Sequence, residues 1–302
     1  MARTIMRLLG NPTLRLFIGA ALISLSPVWV KLVAVSPTTS AFWRLAIGGA
    51  VIALYLVVSR QRPRLSARIW LVLILAAAFL ATDLWFYHRS VQDIGPGLST
   101  LLANFQVFVM AAAGFVILRQ PPSARQLIAI PMALSGLALI VGVDWGSLSE
   151  SYRRGIVFGL GAAVAYAAYL LAMRHSRRDS TTRVPTREIA IVSLAGAAML
   201  GATALAEGHS LVISSGSDAL WLVCYGVLSH GTGMLFITSS LPHVTTTQAG
   251  IALLLQPMLS FVWDVVFFAR PMSARELLGA AIALFAIYLG SRSRSQQRET
   301  PA

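Results

Sequence analysis

Asp83 is a carboxylate inside an otherwise apolar stretch, ILAAAFLATDLWFY at 74–87, with Phe79 one helical turn before it and Tyr87 one turn after. That spacing sets an acid among aromatic rings on one helix face, where it can receive an ammonium group or carry a proton. The plainer alternative is a buried carboxylate bonded to a neighbouring helix. His230, between Ser229 and Gly231, is the second such residue; it can hydrogen-bond a ligand, titrate, or bridge two helices. Tyr166 and Tyr169 stand among Ala162, Ala163, Ala165 and Ala167. Small residues let helices approach closely, and the rings beside them would suit a flat apolar molecule or, through cation–π contact, an ammonium. Asp264 and Trp263 form a further acid and aromatic pair. Asp83, Tyr87, His230, Tyr166, Tyr169 and Trp263 are therefore the candidate substrate contacts. Pro27, Gln106, Gln256 and Pro257 are candidates for gating or packing, and Pro131 also falls inside an apolar run. Lys31 and Arg44 read as cations that snorkel to an interface or form a structural pair, and His88 and Arg89 as interfacial residues.

The elements that must carry these residues follow from composition. The chain has 302 residues, of which 57% are hydrophobic and 12% charged, against about 25% charged in a soluble domain. It is not a soluble globule. A bilayer-crossing helix needs about 20 apolar residues. Ten runs qualify: 14–35, 39–59, 69–88, 94–118, 125–143, 155–175, 188–207, 218–240, 245–268 and 274–290. The expectation is an all-α integral membrane protein with ten transmembrane helices, cytoplasmic tails at 1–13 and 291–302, and no room for a soluble catalytic domain.

The net charge of +13 would suggest nucleic acid in a soluble protein, but here it reads as topology. With the N-terminus inside, Arg3, Arg7, Arg15, Arg60, Arg62, Arg64, Arg68, Arg119, Arg125, Arg174, Arg177, Arg178, Arg183, Arg187, Arg292, Arg294 and Arg298 are cytoplasmic. Lys31, Arg89, Arg153, Arg154, Arg270 and Arg275 are outside. The bias predicts both termini in the cytoplasm. Trp70, Trp145 and Trp221, at span ends, read as interface belt residues.

Several chemistries have no motif to carry them. Lys31, the only lysine, follows Val30 rather than a glycine, so there is no Walker A loop. No HExxH or GxSxG occurs, and Cys224 is the only cysteine, which excludes a multi-cysteine metal site. No metal and no cofactor are expected, and the partners are a small-molecule substrate and the lipid bilayer, with no nucleic acid, around a monomer. A lipid-substrate membrane enzyme would cluster acids or histidines at one interface, whereas the carboxylates here are scattered.

The chain also repeats itself. QPPSARQLIAIPMAL at 120–134 matches RPMSARELLGAAIAL at 270–284, and Gln106 falls on Gln256 at the same offset. Five helices per copy is an odd number, so the second repeat, 155–290, must insert inverted relative to the first, 14–143. Such architectures place a binding site near the midplane between halves.

The opening with Trp29 and Lys31, then Phe42-Trp43-Arg44, and the twice-used hairpin entering SARQLIA or SARELLG resemble the EamA domain of the drug/metabolite transporter superfamily. For Lys31 and Arg44, the match to the family's opening pattern raises attraction of a carboxylate as a further reading. The aromatics and the basic connection between the sixth and seventh runs are most similar to the YddG-type aromatic amino acid exporters of bacteria. The resemblance implies a bacterial inner-membrane secondary transporter, not an enzyme, exporting amino acids and xenobiotics by alternating access. A carrier or uptake permease for another metabolite is the alternative. Many EamA proteins carry a glutamate after the fourth helix of each repeat, where this chain has Arg119-Gln120 and Ala269-Arg270.

Overall fold

The computed structural model describes residues 10–59, 65–119, 123–141, 146, 148–177 and 185–296. The arginines at 3, 7, 60, 62, 64, 178, 183 and 298, which the charge bias assigns to the cytoplasm, together with Gln120 and Trp145, lie outside that set. In the first half run α1 (Pro12–Ser24), α2 (Ser26–Leu32), α3 (Pro37–Val58), α4 (Ala67–Ile94), α5 (Pro96–Ala103), α6 (Gln106–Leu118) and α7 (Ala124–Val141). In the second half run α8 (Glu150–Ser176), α9 (Thr186–Ala206), α10 (Gly216–Cys224), a π-helical segment (Tyr225–Thr232), α11 (Gly233–Ser240), α12 (Thr246–Phe268) and α13 (Ala274–Gln296). There is no strand among the described residues.

The predicted runs are helical over most of their described residues, and eight of the resulting segments are long and apolar enough to cross a membrane. Ala124–Ile140 is shorter, while α13 has 23 residues and ends in a polar tail. Leu54, Val57, Leu71, Val116, Leu127 and Leu278 are exposed on the outside of the bundle. A surface of that kind is stable in lipid and a liability in water.

Two spans are broken. The first splits at Leu25, where Pro27 begins a new turn and cannot donate a backbone hydrogen bond. Carbonyls near the break find other partners: Leu22 O accepts from Ser229 Oγ at 2.7 Å and Ser24 O from Ser260 Oγ at 3.1 Å. Irregular backbone at membrane depth requires such replacement donors. The fourth span breaks at Asn104 and Phe105, where the Asn104 amide donates to Thr100 O at 2.8 Å.

The halves interlock reciprocally. The first span packs on the third of the other half (α1 on α11 and the π segment), and the third on the other first (α4 on α8). Second packs on second (α3 on α9), fourth on fourth (α5 on α12) and fifth on fifth (α7 on α13). Every pairing maps onto itself or onto another when the halves are exchanged, which is the pattern of a two-fold axis. At the α7–α13 crossing, a Cβ on Gly136 would lie 2.7 Å from Gly279 O, and one on Gly279 would lie 2.6 Å from Gly136 O. Only glycines permit that approach.

The repeated SAR motif has a local job. Ser123 N donates to Gln126 Oε1 at 2.9 Å while Gln126 N donates to Ser123 Oγ at 3.3 Å. In the second copy Ser273 N donates to Glu276 Oε2 at 2.9 Å, and Glu276 N to Ser273 Oγ at 3.2 Å. Both are capping boxes that start the fifth helix of a half. The preceding helices end alike: Arg119 (φ 52°) and Ala269 (φ 48°) are left-handed, a conformation that usually falls to glycine at a helix C-terminus.

Candidate functional site

The buried face of α4 carries Leu80, Asp83, Leu84, Tyr87, His88 and Val91, the spacing of a single helical stripe. Around it close Arg44 from α3, Tyr225 from the π segment, and Tyr166 and Tyr169 from α8. The site therefore draws on both halves.

Its backbone is a directional hydrogen-bond chain. His88 Nδ1 lies 2.8 Å from Leu84 O, and a carbonyl only accepts, so Nδ1 carries the proton. Nε2 then accepts from Tyr225 OH at 3.1 Å, and the phenolic oxygen accepts from Arg44 Nη1 at 2.9 Å. The Arg44 guanidinium also lies over the Tyr225 ring, 5.1 Å from its centroid, a cation–π geometry. Tyr87 OH is 2.9 Å from Thr100 Oγ1, whose own proton goes to Pro96 O at 2.8 Å, so Tyr87 donates.

Two charges in this cluster are incompletely partnered. Arg44 Nε is buried with no hydrogen-bond acceptor. Asp83 is 6% exposed and forms no hydrogen bond or ion pair with any described residue. The two feel each other's charge without reaching salt-bridge distance. Tyr166 and Tyr169, ring centroids 5.3 Å apart, lie within electrostatic range of Asp83. An ionisable group near a bilayer centre costs about 2.5–3.5 kcal/mol on insertion scales, so two with spare valences make this cluster the candidate site.

His230 sits beside this cluster, within range of the Arg44 charge. Its Nε2 is 2.8 Å from Ser193 Oγ on α9, and its ring packs where a Cβ on Gly48 would be 2.6 Å away. The π segment that carries both Tyr225 and His230 is a rare backbone form, frequent at functional sites.

The sequence-predicted contacts thus divide. Asp83, Tyr87, Tyr166, Tyr169 and His230 converge. Trp263 does not join them: its Nε1 donates to Ser24 Oγ at 2.9 Å at the broken first span. Asp264 accepts from Gly97 N at 3.0 Å and pairs with Arg270 at 3.3 Å, so it caps α5. Arg44 forms a structural pair with Tyr225, and His88 is not interfacial, being 0% exposed; the two meet at the Tyr225 hydroxyl. Tyr225 itself was not singled out in the sequence, where nothing local distinguishes it 181 positions from Arg44. His88 had a signal, because it follows Leu84 on the Asp83 face just as Tyr87 follows Asp83.

The gating candidates are placed as follows. Pro27 sits at the break of the first span and Gln106 at the break of the fourth, with Gln106 Oε1 buried and unpartnered. Gln256 gives its carbonyl to Ser260 Oγ at 2.9 Å, one residue before Pro257 inside α12.

The bundle end assigned by the arginine bias to the outside is tied shut by polar contacts. Glu207, following α9, accepts from Thr38 Oγ1 at 2.6 Å, Trp85 Nε1 at 2.7 Å and Arg89 Nη2 at 2.8 Å. Partial burial raises the Glu207 carboxyl, but the hydrogen bonds from Thr38 and Trp85 and the Arg89 charge outweigh it and hold the carboxyl below its usual range. Asp93 and Arg154 make a two-bond pair, both at 2.9 Å, between α4 and α8. Lys31 donates to Gln92 O at 3.2 Å and Asp218 accepts from Ala34 N at 3.0 Å.

A cavity of about 520 Å³ lies elsewhere, between α12 and α13, lined by Leu254, Met258, Phe261, Leu277, Leu284 and other mostly apolar residues. It has the character of a lipid-facing groove and is not the polar centre. Among the described residues no group of three His, Cys, Asp or Glu could hold a metal ion.

The model of the EamA-like transporter family matches residues 12–142 and again 153–292. The uncharacterized inner membrane transporter YhbE of Escherichia coli K12 is 25% identical over 246 residues, spanning 78% of this chain and 76% of its own length. Its counterparts in Escherichia coli O157:H7 and Shigella flexneri match equally. A protein of known crystal structure shares the fold with a TM-score of 0.65 at 19% identity, over 96% of this chain and 99% of the other.

Proposed function

The chain belongs to the EamA-like transporter family, and from that premise we propose that this membrane transporter is a secondary exporter of aromatic and other hydrophobic amino acids, and of xenobiotics resembling them. We place it in the bacterial inner membrane with ten spans and both termini in the cytoplasm. Ala124–Val141 and Ala274–Gln296 complete the two inverted repeats, 14–143 and 155–290. The outward direction and the YddG-like substrate range come from the family resemblance.

The observation that carries the reading is the buried polar cluster of Arg44, Asp83, Tyr87, His88 and Tyr225, walled by Tyr166 and Tyr169 and built from both halves. A charged, aromatic site between two halves related by exchange is what alternating access needs. The broken first and fourth spans supply the bending points. The ties around Glu207 and Asp93 close the outer end, and their release would open the site outward.

Counterflow in proteoliposomes tests this directly, with labelled aromatic, aliphatic and polar amino acids assayed with and without an imposed proton gradient. Exchange of at least the aromatic set is expected; failure of every amino acid to exchange rejects the assignment. If Asp83 carries the coupling proton, Asp83→Asn abolishes gradient-driven accumulation, and an unchanged response to the gradient removes that role.

A further inference from the structure

The half-buried side chain of Arg44, with its Nε fully buried, and the buried carboxylate of Asp83 are in electrostatic range but not paired. In a protein interior, opposite charges normally close on one another, because each alone loses its hydration. Here the closure is prevented on the arginine side. Tyr225 holds Nη1 through its hydroxyl and the guanidinium face through its ring, and His88 holds Tyr225 in turn. Nε is left buried and unpartnered. With a hydrogen of a terminal nitrogen it makes the parallel fork that fits a carboxylate. Asp83 keeps its acceptors unspent, with Tyr166 and Tyr169 close by.

We propose that Arg44 and Asp83 are the two poles of a zwitterion site, Arg44 receiving the α-carboxylate of an amino acid and Asp83 its α-ammonium. Tyr225 and His88 are positioning residues that fix the guanidinium fork. The paired tyrosine rings of α8 lie where the substrate's aromatic side chain rests. The proposal rests on the amino acid reading above and adds a requirement to it: both charged groups of the ligand are needed.

The test is equilibrium binding to the purified full-length protein in nanodiscs of L-phenylalanine, phenethylamine, which lacks the carboxylate, and 3-phenylpropionate, which lacks the ammonium. Wild type should prefer phenylalanine to either by about tenfold or more, the scale of a charge-assisted hydrogen-bond pair. Arg44→Gln should bring phenylalanine down to the level of phenethylamine while leaving phenethylamine unchanged. Arg44→Lys, keeping charge without the fork, should fall between. Tyr225→Phe should shrink the ratio of phenylalanine to phenethylamine affinity, which a purely structural loss would not do. Asp83→Asn should erase the preference over 3-phenylpropionate. An Arg44→Gln protein that keeps the wild-type preference, in a chain that still exchanges phenylalanine, overturns the zwitterion site and leaves the transport assignment standing. If that variant does not fold, the wild-type ratio decides: phenethylamine binding as tightly as phenylalanine overturns the proposal. A wild type that neither binds nor exchanges any amino acid removes both readings.

Discussion

At the level of single residues, environment separates acids that the sequence presents as equals. Asp83 and Asp264 are both carboxylates in apolar helices, yet Asp264 spends its oxygens on Gly97 N and Arg270, whereas Asp83 spends none. Glu207 accepts hydrogen bonds from three side chains. Its titration gives a prediction with a definite sign. A carboxyl whose folded pKa is depressed contributes stability that is fully present above the unfolded value, about 4.3, and is lost as pH falls through the folded one. The melting temperature of the purified protein should therefore decline on acidification below about pH 4.5, and the gap between wild type and Glu207→Gln should narrow over that interval. A gap independent of pH would show that the carboxylate charge contributes nothing. The adjacent Arg89 stacks 3.8 Å from the Trp85 ring centroid, so Arg89→Lys should loosen the same end even though charge is retained.

At the level of elements, much was readable. The ten apolar runs are helical over most of their described residues, because 20 apolar residues in lipid have one way to satisfy their backbone. The breaks were only half legible. Pro27 announces the first, since its nitrogen cannot donate, but the break at Asn104 and Phe105 has no proline and depends on a side-chain amide turning back on the helix. The π segment had no sequence signature that spacing could reveal. The SAR motif was legible as a repeat, and its capping boxes give it a physical reason. The left-handed residue before it yields a second prediction. Ala269 (φ 48°) carries a Cβ where none is favoured, so Ala269→Gly should stabilise the protein by up to about 1 kcal/mol. Thermal unfolding checks it, and a lower melting temperature would show that the side chain contributes more than the backbone strain costs.

At the level of the whole molecule, the reciprocal pairing of the two halves is the organising fact. Arg119 and Ala269 occupy equivalent places at the ends of the two fourth spans and are both exposed. If the repeats are inverted, a Cys224→Ser protein carrying Arg119→Cys should react with a membrane-impermeant maleimide from the cytoplasmic side, and one carrying Ala269→Cys from the opposite side. Labelling of both from one side would reject the inverted arrangement. Sequence by itself determined the membrane class, the helix positions, the duplication and the unusual standing of Asp83 and His230, because apolar length, arginine bias and internal matches are properties of the chain read in order. Only the tertiary structure decided that Arg44 turns inward, that Tyr225 and His88 hold it, and that Trp263 and Asp264 belong to packing and capping. Those outcomes depend on which side chain meets which across gaps of over a hundred residues, and in a low-dielectric interior it is the partner across the gap that determines whether a polar group is structural or left available for a ligand.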